Sequence, residues 1–248
     1  MSDELIVIPA AGLGSRMHSS VPKPFIQFTE EKRIIDVVLQ NLRPLKSQIV
    51  VVLSPHSIGL WNQTDVHSDV RLVVQQDPIG MVDAVFCARD LIEVARRVIV
   101  VWSDQIGLSM QTVERARSLF DYDESAKCVI PMYHAKDPYV EYEFSSDGLT
   151  NVRQTRLGEI TNQNGLTDVG CFLFQDGRSL LGSWKKFGQF EGPFSVNREA
   201  NMLPFLKFLS TQDKWKIEKS PCLGPFDSVS INTEDQLNDA KSLLGRYV

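Results

Sequence analysis

Short, continuously apolar runs alternate with helix-like segments in the first half of the chain, and this alternation restricts the possible folds. Such runs are typical of parallel strands that helices cover on both faces. The predicted strands are residues 5–9, 48–53, 71–75, 97–102 and 127–132, and the predicted helices are residues 34–42, 81–94 and 109–120. The pattern predicts an α/β sandwich whose ligand binds outside the carboxyl ends of the strands.

The pattern changes after about residue 135, where short alternating segments are separated by turn signals such as SSDG and NQNG. We predict strands in residues 140–144, 149–154 and 167–174, forming an antiparallel or mixed sheet layered on the first half. Helical spacing returns in residues 198–209 and 233–244. Without an internal repeat or flexible linker, residues 1–248 are expected to form one domain.

Composition excludes several classes of function. The net charge of −5 disfavours binding to a nucleic acid, which requires a basic face. No run of about 18 apolar residues could span a membrane, and the amino-terminal residues do not resemble a signal peptide, so we expect a cytoplasmic protein. The four cysteines are widely spaced, which favours reduced thiols over disulfides or a zinc site. Composition does not predict the oligomeric state.

A glycine-rich loop follows the first predicted strand, in the stretch IPAAGLGSRMHSSVPKPF of residues 8–25. Its small residues, which let main-chain N–H groups approach an anion, are Ala10, Ala11, Gly12 and Gly14. The loop matches neither the P-loop motif nor G-x-G-x-x-G, because Met17 stands at the third glycine. Arg16 and Lys23 add two positive charges, which suit a triphosphate. The alternative is an ordinary strand-to-helix turn with two solvated basic residues.

PAAGLGSRM followed by PKP resembles the signature of nucleotidyltransferases with a GT-A-like fold. These include sugar-phosphate nucleotidyltransferases, N-acetylglucosamine-1-phosphate uridylyltransferase domains and related cytidylyltransferases. The resemblance implies a Rossmann-like three-layer α/β/α sandwich with a mixed central sheet and a small β-rich acceptor lobe. It also implies that about residues 1–135 bind the nucleotide and about residues 136–248 bind the acceptor.

The stretch VVQQDPIGMVDAV resembles the family's second motif. The resemblance implies that Gln75 reads the edge of the base, with Gln76 as the alternative, and that Gly80 admits the base or ribose. Met81 replaces the more usual threonine. The further nucleotide-binding residues that the resemblance implies are Ala10, Ala11, Gly12, Gly14 and Ser15.

Two later stretches resemble the segments that bind Mg²⁺ in this family. VIVVWSDQIG places Asp104 after a buried strand, and a carboxylate there suits a hard cation that bridges phosphates. DSVSINTEDQL places Asn232 at the position of the second ligand, with Asp227 as an alternative. Asn232 or Thr233 could instead simply cap the last helix.

The second half resembles the segments that bind the acceptor. From NVRQTRLGEITNQNGLTDVGCFLF and REANMLPF, the resemblance implies the acceptor-binding residues Gln154, Arg156, Glu159, Asp168, Glu199 and Asn201. The alternative is that these are polar residues on the outside of a β-rich lobe. The Glu-Lys pair that is frequent in the family is absent, and QTR stands in its place.

The resemblance implies transfer of a nucleoside monophosphate from an NTP, preferably UTP or CTP, to a phosphorylated small molecule such as a sugar 1-phosphate. Pyrophosphate leaves, Mg²⁺ and Asp104 assist, Arg16 stabilises the leaving phosphates, and Lys23 holds the α-phosphate and the acceptor phosphate. The alternatives are a cytidylyltransferase for a phosphoalcohol, and a non-catalytic nucleotide-binding protein or glycosyltransferase on the same fold. A Rossmann oxidoreductase is disfavoured by Met17.

Overall fold

The strands follow the apolar runs of the sequence. The structure, a computed structural model, describes residues 3–12, 17, 21–61, 67–160, 163–195 and 198–245, except for the side chain of Arg156. The strands in these residues are β1 (Glu4–Pro9), β2 (Gln48–Leu53), β3 (Val70–Val74), β4 (Arg97–Val101), β5 (Ala126–Lys136), β6 (Val140–Ser145), β7 (Gly148–Gln154), β8 (Asn164–Asp168), β9 (Cys171–Phe174) and β10 (Lys216–Pro221). β1, β2 and β4 are buried almost throughout, as their apolar composition predicts.

The described residues form a central sheet of eight strands and a separate pair, β6 with β7. The central order is β10-β5-β9-β4-β1-β2-β3, and β8 pairs with the end of β5 beyond β9. β9 lies antiparallel between β4 and β5, so the sheet is mixed, whereas β1 to β5 and β10 all point the same way. The carboxyl ends of β1, β3 and β4 therefore lie along one edge of the sheet.

Alternate residues of the strands face two separate hydrophobic cores, as the period of two requires. Ile6 and Ile8 of β1 lie in the first core, and Leu5 and Val7 lie in the second core on the other face. The helices are α1 (Ile34–Leu42), α2 (Pro55–Trp61), α3 (Met81–Phe86), α4 (Arg89–Ile92), α5 (Met110–Tyr122), α6 (Gly177–Glu191), α7 (Met202–Thr211) and α8 (Glu234–Leu244).

The helices cover both faces of the sheet. Buried residues of α1, α5 and α8 join the first core, and those of α3, α4, α6 and α7 join the second. This arrangement confirms the three-layer α/β/α sandwich with a mixed central sheet and a separate small sheet. None of the helices described is both long enough and apolar enough to cross a membrane.

Several predicted elements differ from the structure. The helix predicted at residues 81–94 is interrupted, because Ala88 leaves the helical conformation with ψ of 20°. The strand predicted at residues 167–174 divides into β8 and β9 at Gly170, whose φ is +69°. The helix predicted from residue 198 begins only at Met202, because Arg198 pairs with Ser195 in an isolated bridge. β8, β9 and β10 join the central sheet, so only β6 and β7 form the separate layer.

Candidate active site

The loop after β1 begins as a tightly held extension of the strand. Ala10 donates its N–H to the main-chain oxygen of Val52 at 2.8 Å, and Ala10 and Ala11 are buried. Gly12 is exposed, and a Cβ added there would meet none of the residues that the structure describes within 4 Å. Packing against the described residues therefore does not explain this glycine, whereas the close approach of a ligand would. Met17 is buried in the first core, which accounts for a large apolar residue where a dinucleotide motif has glycine.

Three predicted residues of this loop, Gly14, Ser15 and Arg16, lie outside the described residues. Their roles remain predictions.

Lys23 begins a short 3-10 turn, Lys23–Phe25, that follows Pro22. The buried side chains of Pro24 and Phe25 hold this turn against the rest of the protein. Because both neighbours of Lys23 are prolines with restricted φ, the start of its side chain has a defined position. The lysine therefore projects from a rigid support.

Lys23 connects the two predicted metal ligands. Its Nζ forms an ion pair with Asp104 Oδ2 and donates to Asn232 Oδ1 at 3.2 Å. The Lys23 and Asp104 side chains are only 18% and 12% exposed. Positions 81 and 209 residues from Lys23 are thus brought to one point by the fold.

The loops that carry Asp104 and Asn232 are bonded directly to each other. Ile231 donates its N–H to the main-chain oxygen of Asp104 at 3.1 Å, and Gly107 donates to that of Val229 at the same distance. A Cβ on Gly107 would lie 1.8 Å from the main-chain oxygen of Phe226, so a larger residue does not fit. The two predicted ligands therefore sit on one fixed unit.

Asp227, the alternative metal ligand, is buried and fully engaged within the protein. Its Oδ1 accepts from Ser109 N at 2.6 Å, and its Oδ2 accepts from Gly224 N at 2.6 Å and from Thr112 Oγ1. Since both carboxylate oxygens have protein donors, Asp227 holds the loops together. Asn232 remains the prediction for the second ligand.

The oxygens of Asp104 and Asn232 fit a magnesium ion. Both lie within bonding distance of one cationic atom, Lys23 Nζ, so they can reach a common position. Mg²⁺ is commonly held by one or two protein oxygens, with substrate phosphates and water completing its shell. In the part of the chain that the structure describes, no group of three or more His, Cys, Asp and Glu side chains offers another metal site.

Gln75 follows β3 instead of ending it, and its side chain is buried against the start of α3. Its Nε2 donates to the main-chain oxygen of Gly80 at 3.1 Å and to Asp83 Oδ2 at 2.9 Å. Gln76 is exposed. The structure therefore brings Gln75 and Gly80 together at the edge of the sheet. Asp83, which fixes the amide, has no signal in the sequence beyond its place in the first turn of a helix.

Gly80 packs against the segment that contains Glu199 and Asn201. Its φ is +122°, and a Cβ there would lie 2.4 Å from the main-chain nitrogen of Ala200. Ala200 also bonds to the main chain on both sides of Gly80, donating to Ile79 and accepting from Val82. Packing alone thus requires this glycine, and the admission of a base or ribose remains a prediction. Next to it, Met81 is 42% exposed.

A sequence model of the MobA-like NTP transferase domain matches residues 6–169. The chain belongs to the MobA-like NTP transferase family. The matched region includes Lys23, Gln75 and Asp104, and it ends just after Asp168. Asn232 lies beyond it and is joined to it by the bonds described above.

Curated relatives of this MobA-like protein are distant. The chain is 26% identical to "Bifunctional protein GlmU" of Nitrobacter hamburgensis over 189 residues, 74% of this chain and 41% of the relative. It is 22% identical to the protein of the same name from Francisella tularensis subsp. holarctica over 248 residues, 96% of this chain and 48% of the relative. The chain therefore spans about half the length of these relatives or less.

Among the predicted acceptor residues of this MobA-like protein, Asp168 is close enough to Asp104 for the charge of Asp104 to act on its carboxyl. It accepts from Tyr142 Oη at 2.8 Å and from Gly170 N at 2.6 Å. Burial raises the pKa of the Asp168 carboxyl, the negative charge of Asp104 acts in the same direction, and the two hydrogen bonds partly oppose them. The sequence does not predict the role of Tyr142, because nothing local marks a strand tyrosine as the partner of a distant carboxylate.

The other acceptor candidates form two local pairs. Gln154 donates its N–H to Glu159 Oε2 at 2.9 Å, beside the turn that contains Arg156, whose side chain is outside the described residues. Asn201 Nδ2 contacts the main-chain oxygen of Glu199 at 3.4 Å, next to Gly80. The described contacts do not join either pair to Asp168, so their roles remain predictions.

Proposed function

We propose that this MobA-like protein transfers a nucleoside monophosphate from UTP or CTP to a sugar 1-phosphate, releasing pyrophosphate and forming a nucleotide sugar. The contact of Lys23 with both Asp104 and Asn232 carries the proposal, because it gathers a cation suited to phosphate and two oxygens suited to a metal ion at the edge of the sheet. In open α/β folds this edge is where ligands bind.

The reaction needs an acceptor phosphate oxygen in line with the α-phosphorus of the NTP. A new P–O bond forms there, and the bond from the α-phosphorus to the bridging oxygen of the pyrophosphate breaks. The acceptor phosphate is already ionised near neutral pH, so no general base is required. In this proposal Lys23 positions the α-phosphate and the acceptor phosphate, and Arg16 neutralises the charge that grows on the leaving pyrophosphate.

Asp104 and Asn232 would hold the Mg²⁺, which when bound supplies positive charge next to the phosphates of both substrates. The main-chain bonds between their loops keep both side chains oriented toward the same point. Ala11 and the exposed Gly12 offer main-chain N–H groups to the phosphates, and the lack of described residues within 4 Å of a Cβ at Gly12 supports this role.

Gln75 provides the proposed preference for a pyrimidine. Because its Nε2 already donates to Gly80 and Asp83, Oε1 is the atom that would accept a hydrogen bond from uracil N3–H or from the amino group of cytosine. On the acceptor side, Asp168 would bind a sugar hydroxyl, with Tyr142 and Gly170 holding its carboxylate.

A pyrophosphate-release assay with each NTP against a panel of sugar 1-phosphates and phosphoalcohols tests the proposal. We expect release with UTP or CTP and a sugar 1-phosphate, and a loss of roughly 100-fold or more in kcat for Lys23→Ala and for Asp104→Ala. Lys32→Ala is the matched control, because the side chain of Lys32 donates to Gln40 Oε1 at 2.7 Å in an exposed hydrogen bond.

Three outcomes would contradict the proposal or one of its parts. Measurable NTP binding without pyrophosphate release from any pair would favour a nucleotide-binding protein. Release only with a phosphoalcohol would replace the sugar 1-phosphate with the other class of acceptor. Near-normal turnover by a folded Lys23→Ala or Asp104→Ala variant would remove that residue from the mechanism.

A further inference from the structure

Lys23 contacts the same two side chains that the proposed function assigns to the metal. Its Nζ is ion-paired to Asp104 Oδ2 and lies 3.2 Å from Asn232 Oδ1. A divalent cation held by those oxygens would lie against a positive ammonium group, and like charges at such separations repel strongly in a partly buried site. Lys23 Nζ and the metal ion therefore cannot both remain on this pair of oxygens.

We propose that Lys23 competes with the metal ion for Asp104 and Asn232, and that the phosphates of a bound nucleotide draw the lysine away. The metal ion and the nucleotide would then bind in a mutually dependent way. This inference rests on the proposed function for the assignment of Asp104 and Asn232 as metal ligands.

The turn around Lys23 suits a movement of the side chain alone. Pro24 and Phe25 are buried, and prolines flank the lysine, so the main chain is held in place. The four-carbon stem of lysine carries a compact charge through several rotatable bonds. The ammonium can therefore exchange one set of oxygens for another without any rearrangement of the sheet.

The pairing also keeps the Asp104 carboxylate compensated. Its side chain is only 12% exposed, and an unpaired carboxylate at that depth is unfavourable. A metal ion arriving alone must displace the ammonium and leave that charge without a partner. When an NTP is present, its phosphates accept the ammonium while the metal ion replaces it on Asp104, so every charge keeps a partner.

Mn²⁺ binding measured by electron paramagnetic resonance, with no nucleotide present, tests the competition without any need for turnover. We expect Lys23→Met to bind Mn²⁺ roughly tenfold more tightly than the wild-type protein, because one positive charge beside the ion is removed. Lys23→Gln should behave similarly, and circular dichroism would establish that each variant is folded. Adding a non-hydrolysable NTP should tighten Mn²⁺ binding less in these variants than in the wild type.

Lys216→Met is the matched control. Lys216 is also paired with two acidic side chains, Asp123 and Glu218, but it begins β10 and so lies toward the opposite edge of the sheet. Its substitution should leave Mn²⁺ binding unchanged. Asp104→Asn introduced into Lys23→Met should abolish the gain in affinity.

Unchanged or weaker Mn²⁺ binding by folded Lys23→Met and Lys23→Gln would overturn the competition, as would a gain that survives Asp104→Asn. These results are distinguishable from failure of the proposed function. If the wild-type protein releases no pyrophosphate from any substrate pair and Lys23→Met still gains Mn²⁺ affinity, the competition stands and the proposed reaction fails.

Discussion

Ser109 donates its main-chain N–H to Asp227 Oδ1 at 2.6 Å, across 118 residues of sequence. Asp227 Oδ2 accepts from Gly224 N at 2.6 Å and from Leu223 N at 3.1 Å. The buried carboxylate thus joins the start of α5 to the segment that leads to α8. These are the two parts of the chain that carry Asp104 and Asn232, so the spacing of the proposed metal ligands depends on Asp227.

Asp227→Asn should destabilise the protein by about 2–4 kcal/mol. Both carboxylate oxygens of Asp227 accept hydrogen bonds, whereas the amide of asparagine has only one acceptor oxygen. The NH₂ group of the introduced asparagine would therefore face a hydrogen-bond donor, and that buried donor would lose its partner. Urea unfolding followed by circular dichroism measures the free energy of unfolding. In conditions where the variant is folded, Mn²⁺ binding should also weaken.

The control for this substitution is Asp239→Asn, at an exposed position of α8. It should change the free energy of unfolding by no more than about 0.5 kcal/mol. Equal stabilities for the two variants would contradict the role of Asp227 as a link between the loops.

The sequence predicts those strands and helices whose own residues carry a clear pattern. β1, β2 and β4 are predicted within a residue or so, because uninterrupted runs of Val and Ile are typical of strands that are buried on both faces.

The sequence does not predict α6, because three glycines interrupt its apolar spacing. Its N-cap, Asp176, accepts from Ser179 N at 2.6 Å and could have marked its start. β10 was missed because its sequence, KIEKSP, is mostly polar and ends in proline, which an edge strand tolerates.

In the candidate site, too, the sequence predicts residues that a local motif marks but not those whose role depends on distant contacts. Asp104 could be predicted because it follows a buried strand within a recognisable motif. The role of Asp227 could not, because two of its partners, Ser109 and Thr112, are more than 100 residues away and no local pattern marks them. The packing of Gly80 against Ala200 depends likewise on tertiary structure.

Alanine at two glycines should separate packing from ligand binding. Gly80→Ala should lower the free energy of unfolding by several kcal/mol, because its Cβ would lie 2.4 Å from Ala200 N at a φ of +122°. Gly12→Ala should leave stability nearly unchanged and weaken NTP binding, because the methyl group enters space that none of the described residues occupies. Thermal unfolding and NTP titration measure the two effects. A Gly12→Ala variant with normal NTP affinity would contradict the close approach of phosphate to this loop.

Asp36 should make stability depend on acidic pH. Burial alone would raise the pKa of the Asp36 carboxyl, but hydrogen bonds from His67 and Arg33 outweigh it and hold the pKa well below the ordinary value of 3.8. Arg43 contacts the other ring nitrogen of His67 and forms an ion pair with Asp69, so it links the Asp36–His67 pair to a second carboxylate. A carboxylate whose pKa is lower in the native state than in the unfolded state stabilises the fold at pH values above the unfolded-state pKa. This contribution is lost as the pH falls toward the native-state pKa.

Asp36→Asn should therefore be less stable than the wild type by about 2 kcal/mol at pH 7, with the difference shrinking below about pH 4. Urea unfolding at pH 7, 5, 4 and 3 measures it. Asp69→Asn, which alters a more exposed ion pair with Arg43, should cost no more than about 1 kcal/mol. A difference between Asp36→Asn and the wild type that stays constant over this pH range would contradict the prediction.

Gln75→Ala should blur selectivity among the four NTPs more than it slows the preferred reaction. The substitution removes the Oε1 acceptor that is proposed to read the base, while the phosphate-binding residues remain. The measurement is kcat/KM for UTP, CTP, ATP and GTP. Gln76→Ala is the matched control, because Gln76 is the adjacent glutamine and is exposed. If Gln75→Ala keeps the wild-type NTP profile and Gln76→Ala changes it, base recognition belongs to Gln76, and the amide held by Gly80 and Asp83 serves only to join β3 to α3.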